Sequence, residues 1–206
     1  MKKTVLAAML AAMFLLSTAE AADRIILIPG WDQNPQRMIS LQKELGGEIM
    51  VTSSRLPLWR AAEELNDQIS LKDGEKIVFV GFSWGGLISR QFAEMYPEKV
   101  RAVVVIGSPN GGYHFAPKGP FWIDVKKSRH VLVYVMAGEK SIRKWWLSEV
   151  NDGVVDLESA FDLPYEVFKG GMVLNLEHHE MLGSGVVSSQ IRAWLAAKPT
   201  DRFAAR

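Results

Sequence analysis

Apolar residues in this chain fall into short continuous runs, separated by stretches where they recur every three or four positions. Arg24-Ile25-Ile26-Leu27-Ile28 is a β-branched run closed by Pro29-Gly30. That pattern predicts a strand buried on both faces of a parallel sheet. Asn34-Pro35 then gives a helix start, Met38, Leu41 and Leu45 its apolar stripe, and Gly46-Gly47 its end. Glu48 to Thr52 predicts a second strand. Leu58, Ala62, Leu65 and Ile69 mark a second amphipathic helix. After the turn at Asp73-Gly74 come the apolar run Ile77-Val78-Phe79-Val80 and a helical pattern of Leu87, Ile88, Phe92 and Met95, stopped at Tyr96-Pro97. Further strands are predicted at Val100–Ile106, Val131–Met136 and Met172–Leu176. A short helix is predicted over Ser141–Val150, and a closing helix from Val187, Ile191, Trp194 and Leu195. Strand and helix alternate, which implies right-handed crossovers and an α/β fold of about six mostly parallel strands with helices on both faces.

Two segments stand outside this rhythm. Lys2-Lys3, the apolar run Val5 to Leu16 and Ala19-Glu20-Ala21 read as a signal peptide over residues 1–21, cut after Ala21. The apolar run is too short to span a bilayer comfortably, so an uncleaved anchor is the weaker alternative. The expected product, residues 22–206, is exported to the periplasm or medium as one domain. Residues 110–128 hold Gly111-Gly112, Pro117, Gly119-Pro120 and four aromatic residues. This is too long for a plain connection and is expected to form a short cap or rim.

Composition narrows the field. The sequence contains no cysteine, so no disulfide framework is available even where export would permit one. Basic and acidic residues nearly balance, 24 against 23. Nothing in that balance argues for a nucleic-acid partner.

The chemistry is concentrated at Gly81-Phe82-Ser83-Trp84-Gly85-Gly86. A G-x-S-x-G match counts as a nucleophile elbow when it joins a strand to a helix, as it does here. Gly81 and Gly85 supply the small neighbours that a strained serine turn requires. The competing reading is a serine in an ordinary strand–helix turn. A serine hydroxyl needs a base and an orienting carboxylate, and in an open parallel sheet these come from loops at the carboxyl ends of later strands. Four histidines exist. His130 precedes a strand and reads as a surface residue. His114 lies in the irregular aromatic stretch and could line the site. His178 and His179 follow the last strand, and His179 is favoured because Leu182 and Ser184 follow it in the frame His-x-x-Leu-x-Ser. For the acid, Asp152 in Asn151-Asp152-Gly153-Val154-Val155 competes with Glu139, Asp156 and Asp162. The oxyanion hole needs aimed backbone N–H groups. These are expected from Trp84, which follows the nucleophile, and Trp31, in the loop after the first strand. Glu177-His178-His179-Glu180 lacks the H-E-x-x-H spacing of a zinc site, and no metal is expected.

With these pieces in place, the chain resembles the α/β-hydrolases, specifically a small secreted bacterial lipase or esterase. Ile25-Ile26-Leu27-Ile28-Pro29-Gly30 stands where such lipases carry an apolar strand ending in His-Gly. Gly81–Gly86 matches their elbow, Asn151–Val155 with Ser159-Ala160 their acid loop, and His179–Ser184 their histidine loop. Pro29 and Phe82 depart from the histidines frequent at those places. The resemblance favours Asp152 over the other acids and implies a minimal version of the fold with the order Ser, Asp, His. It implies a serine hydrolase acting on a small-molecule or lipid carboxylic ester, without a cofactor and without a partner protein, with transient contact at a lipid interface. Acyl transfer, thioester or amide cleavage would use the same three residues, and a binding module could keep the scaffold without catalysis.

Overall fold

The computed structural model describes residues 23–53, 56–112 and 131–197. The signal peptide expected at 1–21 and residues 113–128 of the expected cap lie outside them, as do His114 and His130. Strands β1 (Arg24–Ile28), β2 (Glu48–Ile49), β3 (Ile77–Phe82), β4 (Val100–Ile106), β5 (Leu132–Gly138) and β6 (Phe168–Leu174) form one sheet in the order β2-β1-β3-β4-β5-β6. Every neighbouring pair is parallel.

The sheet has a core on each face because alternate residues of a strand point to opposite sides. Ile26, Ile28, Phe79, Val103 and Val105 pack against α2 (Leu58–Gln68) and α3 (Trp84–Met95). Leu27, Val80, Phe82, Val104 and Ile106 pack with Met38, Leu41, Val187 and Ile191, from the segments around α1 (Ile39–Leu45) and α5 (Gly185–Ala196). A short helix, α4 (Leu157–Phe161), follows the Asp152 turn. The chain winds from β1 outward to β2, then returns to β3 on the other side of β1. This reversal opens a crevice at the carboxyl ends of β1 and β3, where Pro29-Gly30-Trp31 and Ser83 lie.

Three predicted elements differ in the structure. β2 is shorter than the run Glu48–Thr52. Met50 N–H still bonds Leu27 O at 3.0 Å, but the Thr52 N–H is taken by the side chain of Gln33 at 2.9 Å. Ser141–Val150 forms turns instead of a helix. Its backbone donors are diverted, Ser141 N–H to Asn151 O at 2.8 Å and Ser148 N–H to the Asp156 carboxylate at 2.5 Å. The last strand begins at Phe168, ahead of the apolar run that predicted it, and is an edge strand with alternating exposure.

Behind the crevice lies a buried polar bridge. The Arg90 guanidinium on α3 donates to Asn110 Oδ1 at 2.7 Å, and Asn110 Nδ2 donates to Ala160 O at 2.6 Å. The elbow helix is thereby tied to α4. Burial pushes the Arg90 pKa down to about 9, against the opposing pull of Asp162 and Glu94.

Phe92 anchors α3 to the sheet. It is fully buried, with its ring 5.0 Å from that of Phe79 and 4.9 Å from that of Tyr96. Phe92→Ala is expected to cost about 3–5 kcal/mol of stability, measured by urea unfolding. A loss below about 1 kcal/mol would mean that α3 is held mainly by its other contacts.

Candidate active site

Ser83 joins β3 to α3 with φ 51° and ψ −119°, a left-handed conformation that side chains other than glycine rarely adopt. Its N–H is held by Ile106 O at 2.8 Å, and its carbonyl accepts from Gly86 N–H at 3.1 Å. The tightness of this turn accounts for its glycines. A Cβ on Gly81 would fall 2.5 Å from Gly86 Cα, and one on Gly85 would fall 2.2 Å from Pro29 O. The start of α3 is thus pressed onto the loop after β1. A Cβ on Gly30 would lie 3.5 Å from Ser83 Cβ, which puts that loop directly beside the serine.

Asp152 lies in the turn expected of it and is buried, 2 % exposed. Its Oδ1 accepts from Val154 N–H at 2.9 Å and Val155 N–H at 2.7 Å. Its Oδ2 is 2.7 Å from His178 Nδ1, and its backbone carbonyl accepts from His178 N–H at 2.9 Å. The preference for His179 is therefore corrected: the histidine paired with Asp152 is His178. The physical reason is the anchoring of the loop. Met181 and Leu182 are buried in the short turn Glu180–Gly183, and Met181 N–H reaches back to Glu177 O at 3.3 Å. In that register His178 faces inward and is 4 % exposed, while His179 is exposed.

Two glycines make room for the pair. A Cβ on Gly107 would lie 2.9 Å from His178 Nδ1, and one on Gly138 would lie 2.7 Å from Asp152 Cβ. An ionised carboxylate only accepts, so His178 Nδ1 is the donor to it, and in the neutral ring that places the lone pair on Nε2. At the loop's outer edge Lys140 pairs with Glu177 at 3.0 Å and Glu180 at 3.1 Å. Such exposed pairs contribute little energy, but these bracket the histidines on both sides.

Of the other acids considered, Glu139 is exposed, Asp156 binds Ser148 N–H and Asp162 lies near Arg90. Among the described residues, the carboxylate that meets His178 is that of Asp152.

Ser83, Gly30, Trp31, Phe82, Val154, His178 and His179 line one cavity of about 250 Å³, with Asp32 and Arg37 at its edge. The Phe82 ring lies 4.7 Å from the His178 ring. The Trp31 and Trp84 rings meet edge to face at 4.9 Å. Trp31 is 45 % exposed, whereas Trp84 is buried in the core.

His179 keeps a distinct setting. Arg37 Nη1 is 3.3 Å from its Nδ1, and Arg37 Nε donates to Asp32 at 2.9 Å. A guanidinium can only donate, so His179 Nδ1 carries the lone pair and Nε2 the proton. Partial desolvation of the ring, then the nearby His178 and Arg37, lower its pKa from the ordinary 6.5.

The structure also contains a residue that the sequence pattern did not single out. Gln33 is buried at φ 48°. Its Nε2 donates to Gly30 O at 2.9 Å and Pro29 O at 3.3 Å, and its Oε1 accepts from Thr52 N–H at 2.9 Å and Thr52 Oγ at 3.2 Å. A lone polar residue in a loop carries no periodicity, so no sequence signal marked it.

The model of the alpha/beta hydrolase fold family matches residues 17–127, more than half of the 206-residue chain. The chain belongs to the alpha/beta hydrolase fold family. Among relatives of this chain, the pimeloyl-[acyl-carrier protein] methyl ester esterase of Salmonella newport is 27 % identical over 92 residues. The match covers 41 % of this chain and only 36 % of that enzyme. The mature lipase BlEst2 of Bacillus licheniformis superposes with a TM-score of 0.59 at 16 % identity, covering 84 % of this chain and 91 % of the lipase. Naproxen esterase of Bacillus subtilis superposes with a TM-score of 0.60 at 12 % identity, covering 87 % and 85 %. At such identities the superpositions show a shared fold.

The setting of His179 in this protein can be measured. Its imidazole is expected to titrate below 6.5. Arg37→Met removes a cation that favours the neutral ring and leaves Asp32, which favours the charged one, so the midpoint should move upward. NMR titration of the histidine ring protons reads both. A midpoint that stays put would remove Arg37 from the account.

Proposed function

We propose that this protein is an exported serine hydrolase that cleaves carboxylic esters through an acyl-enzyme on Ser83, with His178 as the base and Asp152 as its orienting acid. The observation that carries this reading is the buried Asp152–His178 pair, 2.7 Å apart, in the same cavity as the strained serine. The esterase and lipase descriptions of its relatives agree with it.

In this reading Ser83 Oγ adds to the ester carbonyl carbon and its proton passes to His178 Nε2. Asp152 stabilises the resulting imidazolium without taking its proton. The N–H groups of Trp31 and Trp84 donate to the oxyanion of the tetrahedral intermediate. When the intermediate collapses, the bond to the alcohol oxygen breaks and His178 returns the proton to that oxygen. Water then adds to the acyl-enzyme with the same base. The acid leaves and the proton returns to Ser83. The cavity of about 250 Å³ beside Ser83 would receive the acyl group, and the exposed Trp31 in its lining gives the substrate an apolar surface to lie on.

Kinetics with p-nitrophenyl butyrate test the assignment. Ser83→Ala should abolish turnover and labelling by a fluorophosphonate probe. His178→Ala should lower kcat by at least about 10³-fold and far more than His179→Ala. A larger loss in His179→Ala would reverse the choice of base, and equal rates in wild type and Ser83→Ala would end the serine-hydrolase reading. Export is tested by expression of the full chain in an export-competent bacterium. The processed protein should begin at Ala22, and a retained leader on all of the protein would contradict a cleaved signal.

A further inference from the structure

Gln33 occupies an unusual position for a loop glutamine. It is only 8 % exposed, its backbone is left-handed, and its side chain bonds the loops after β1 and β2. The amide orientation is fixed by its neighbours. Thr52 N–H can only donate, so the atom facing it is Oε1. The carbonyls of Pro29 and Gly30 can only accept, so the atom facing them is Nε2. The Gly30 carbonyl receives a second bond at 2.9 Å from the Gln33 backbone N–H.

That carbonyl belongs to the same peptide unit as the Trp31 N–H. None of the described peptide bonds is cis, and in a trans peptide the C=O and N–H point in opposite directions. Two donors holding the Gly30 oxygen on the Gln33 side therefore aim the Trp31 N–H the other way. The neighbouring Pro29 carbonyl is pressed between Gln33 and the start of α3, where a Cβ on Gly85 would fall 2.2 Å from its oxygen. The loop thus has little freedom to rotate either peptide. A left-handed non-glycine residue costs of order 1–3 kcal/mol and persists where surrounding contacts over-determine it. Here those contacts run to both ends of the residue.

We propose that Gln33 is the positioning residue of the oxyanion hole: it locks the Gly30–Trp31 peptide so that the Trp31 N–H faces the tetrahedral intermediate at Ser83. The inference rests on the serine-hydrolase reading above. Gln33 touches no reacting atom, and its effect is on the transition state. Loss of an oxyanion donor costs about 10²–10³ in kcat, and a donor that is present but no longer held in place should lose part of that. Substrate binding before attack makes no use of an oxyanion, so KM should change little.

The test compares wild type, Gln33→Glu and Thr52→Val. Glutamate keeps an acceptor toward Thr52 and replaces the Nε2 donor with an oxygen that the Pro29 and Gly30 carbonyls repel. Valine removes one of the two donors on Gln33 Oε1. Readouts are kcat and KM for p-nitrophenyl butyrate and the inhibition constant of butylboronic acid, which forms a tetrahedral adduct on the serine. All are measured below the melting temperature of each variant. Gln33→Glu should lose roughly 10- to 100-fold in kcat and a similar factor in boronate affinity, with KM within about threefold. Thr52→Val should lose severalfold in boronate affinity and so carries the test if Gln33→Glu does not fold. Folded variants with wild-type kcat and boronate affinity would overturn the role of Gln33 while leaving the hydrolase reading intact. A wild-type protein that neither turns over the ester nor binds the boronate would overturn both.

Discussion

The left-handed backbone at Ser83 is the constraint from which the rest of the site follows. A residue with φ near 51° is held against a cost of order 1–3 kcal/mol. The turn is closed at both ends, by Ile106 O on the serine N–H and by Gly86 N–H on the serine carbonyl. The turn also brings the start of α3 so close to β1 that the Pro29 carbonyl would meet any side chain at position 85. The sharp turn therefore sets Ser83 at the carboxyl end of β3, where it lines the cavity while only 7 % exposed, and clamps the loop that carries Trp31.

The parallel sheet sets where everything else must arrive. Five parallel pairings place the loops after β1, β3, β4, β5 and β6 on one edge, and each contributes something different. The β1 loop brings Gly30 and Trp31, the β3 turn brings Ser83, and Gly107 after β4 leaves a slot for the His178 ring. The β5 loop delivers Asp152, and the β6 loop delivers His178. The pair is then set by local hydrogen bonding. Asp152 accepts two backbone N–H bonds on one oxygen and His178 on the other, so its carboxylate cannot rotate without losing all three. Gln33 and the Arg90–Asn110 bridge brace the framework from below, one under the β1 loop and one between α3 and α4.

Much of this was legible in the chain. The apolar runs located each strand core, and the alternation of runs with helical stripes implied the parallel sheet. The G-x-S-x-G turn between a strand and a helix singled out Ser83, and the likeness of the turn at Asn151–Val155 to the acid loop of bacterial lipases favoured Asp152 over Glu139, Asp156 and Asp162. These signals are local, because a strand, a helix stripe and a tight turn are each specified by residues within a few positions of one another. Where local preference was overruled, a tertiary bond was responsible. Ser141–Val150 has a plausible helical composition, but two of its backbone donors are claimed by Asn151 and Asp156.

The choice between His178 and His179 could not be read from the chain. The two are adjacent and chemically identical, and a one-residue change of register exchanges their directions. The chain by itself showed only that a histidine follows the last strand. The tertiary structure chose His178, because burial of Met181 and Leu182 sets the loop register, Gly107 leaves clearance for that ring, and Asp152 meets it at 2.7 Å. Gln33 belongs to the same class. Its identity is visible in the sequence, but its partners, Pro29, Gly30 and Thr52, come together only once β1 and β2 lie side by side.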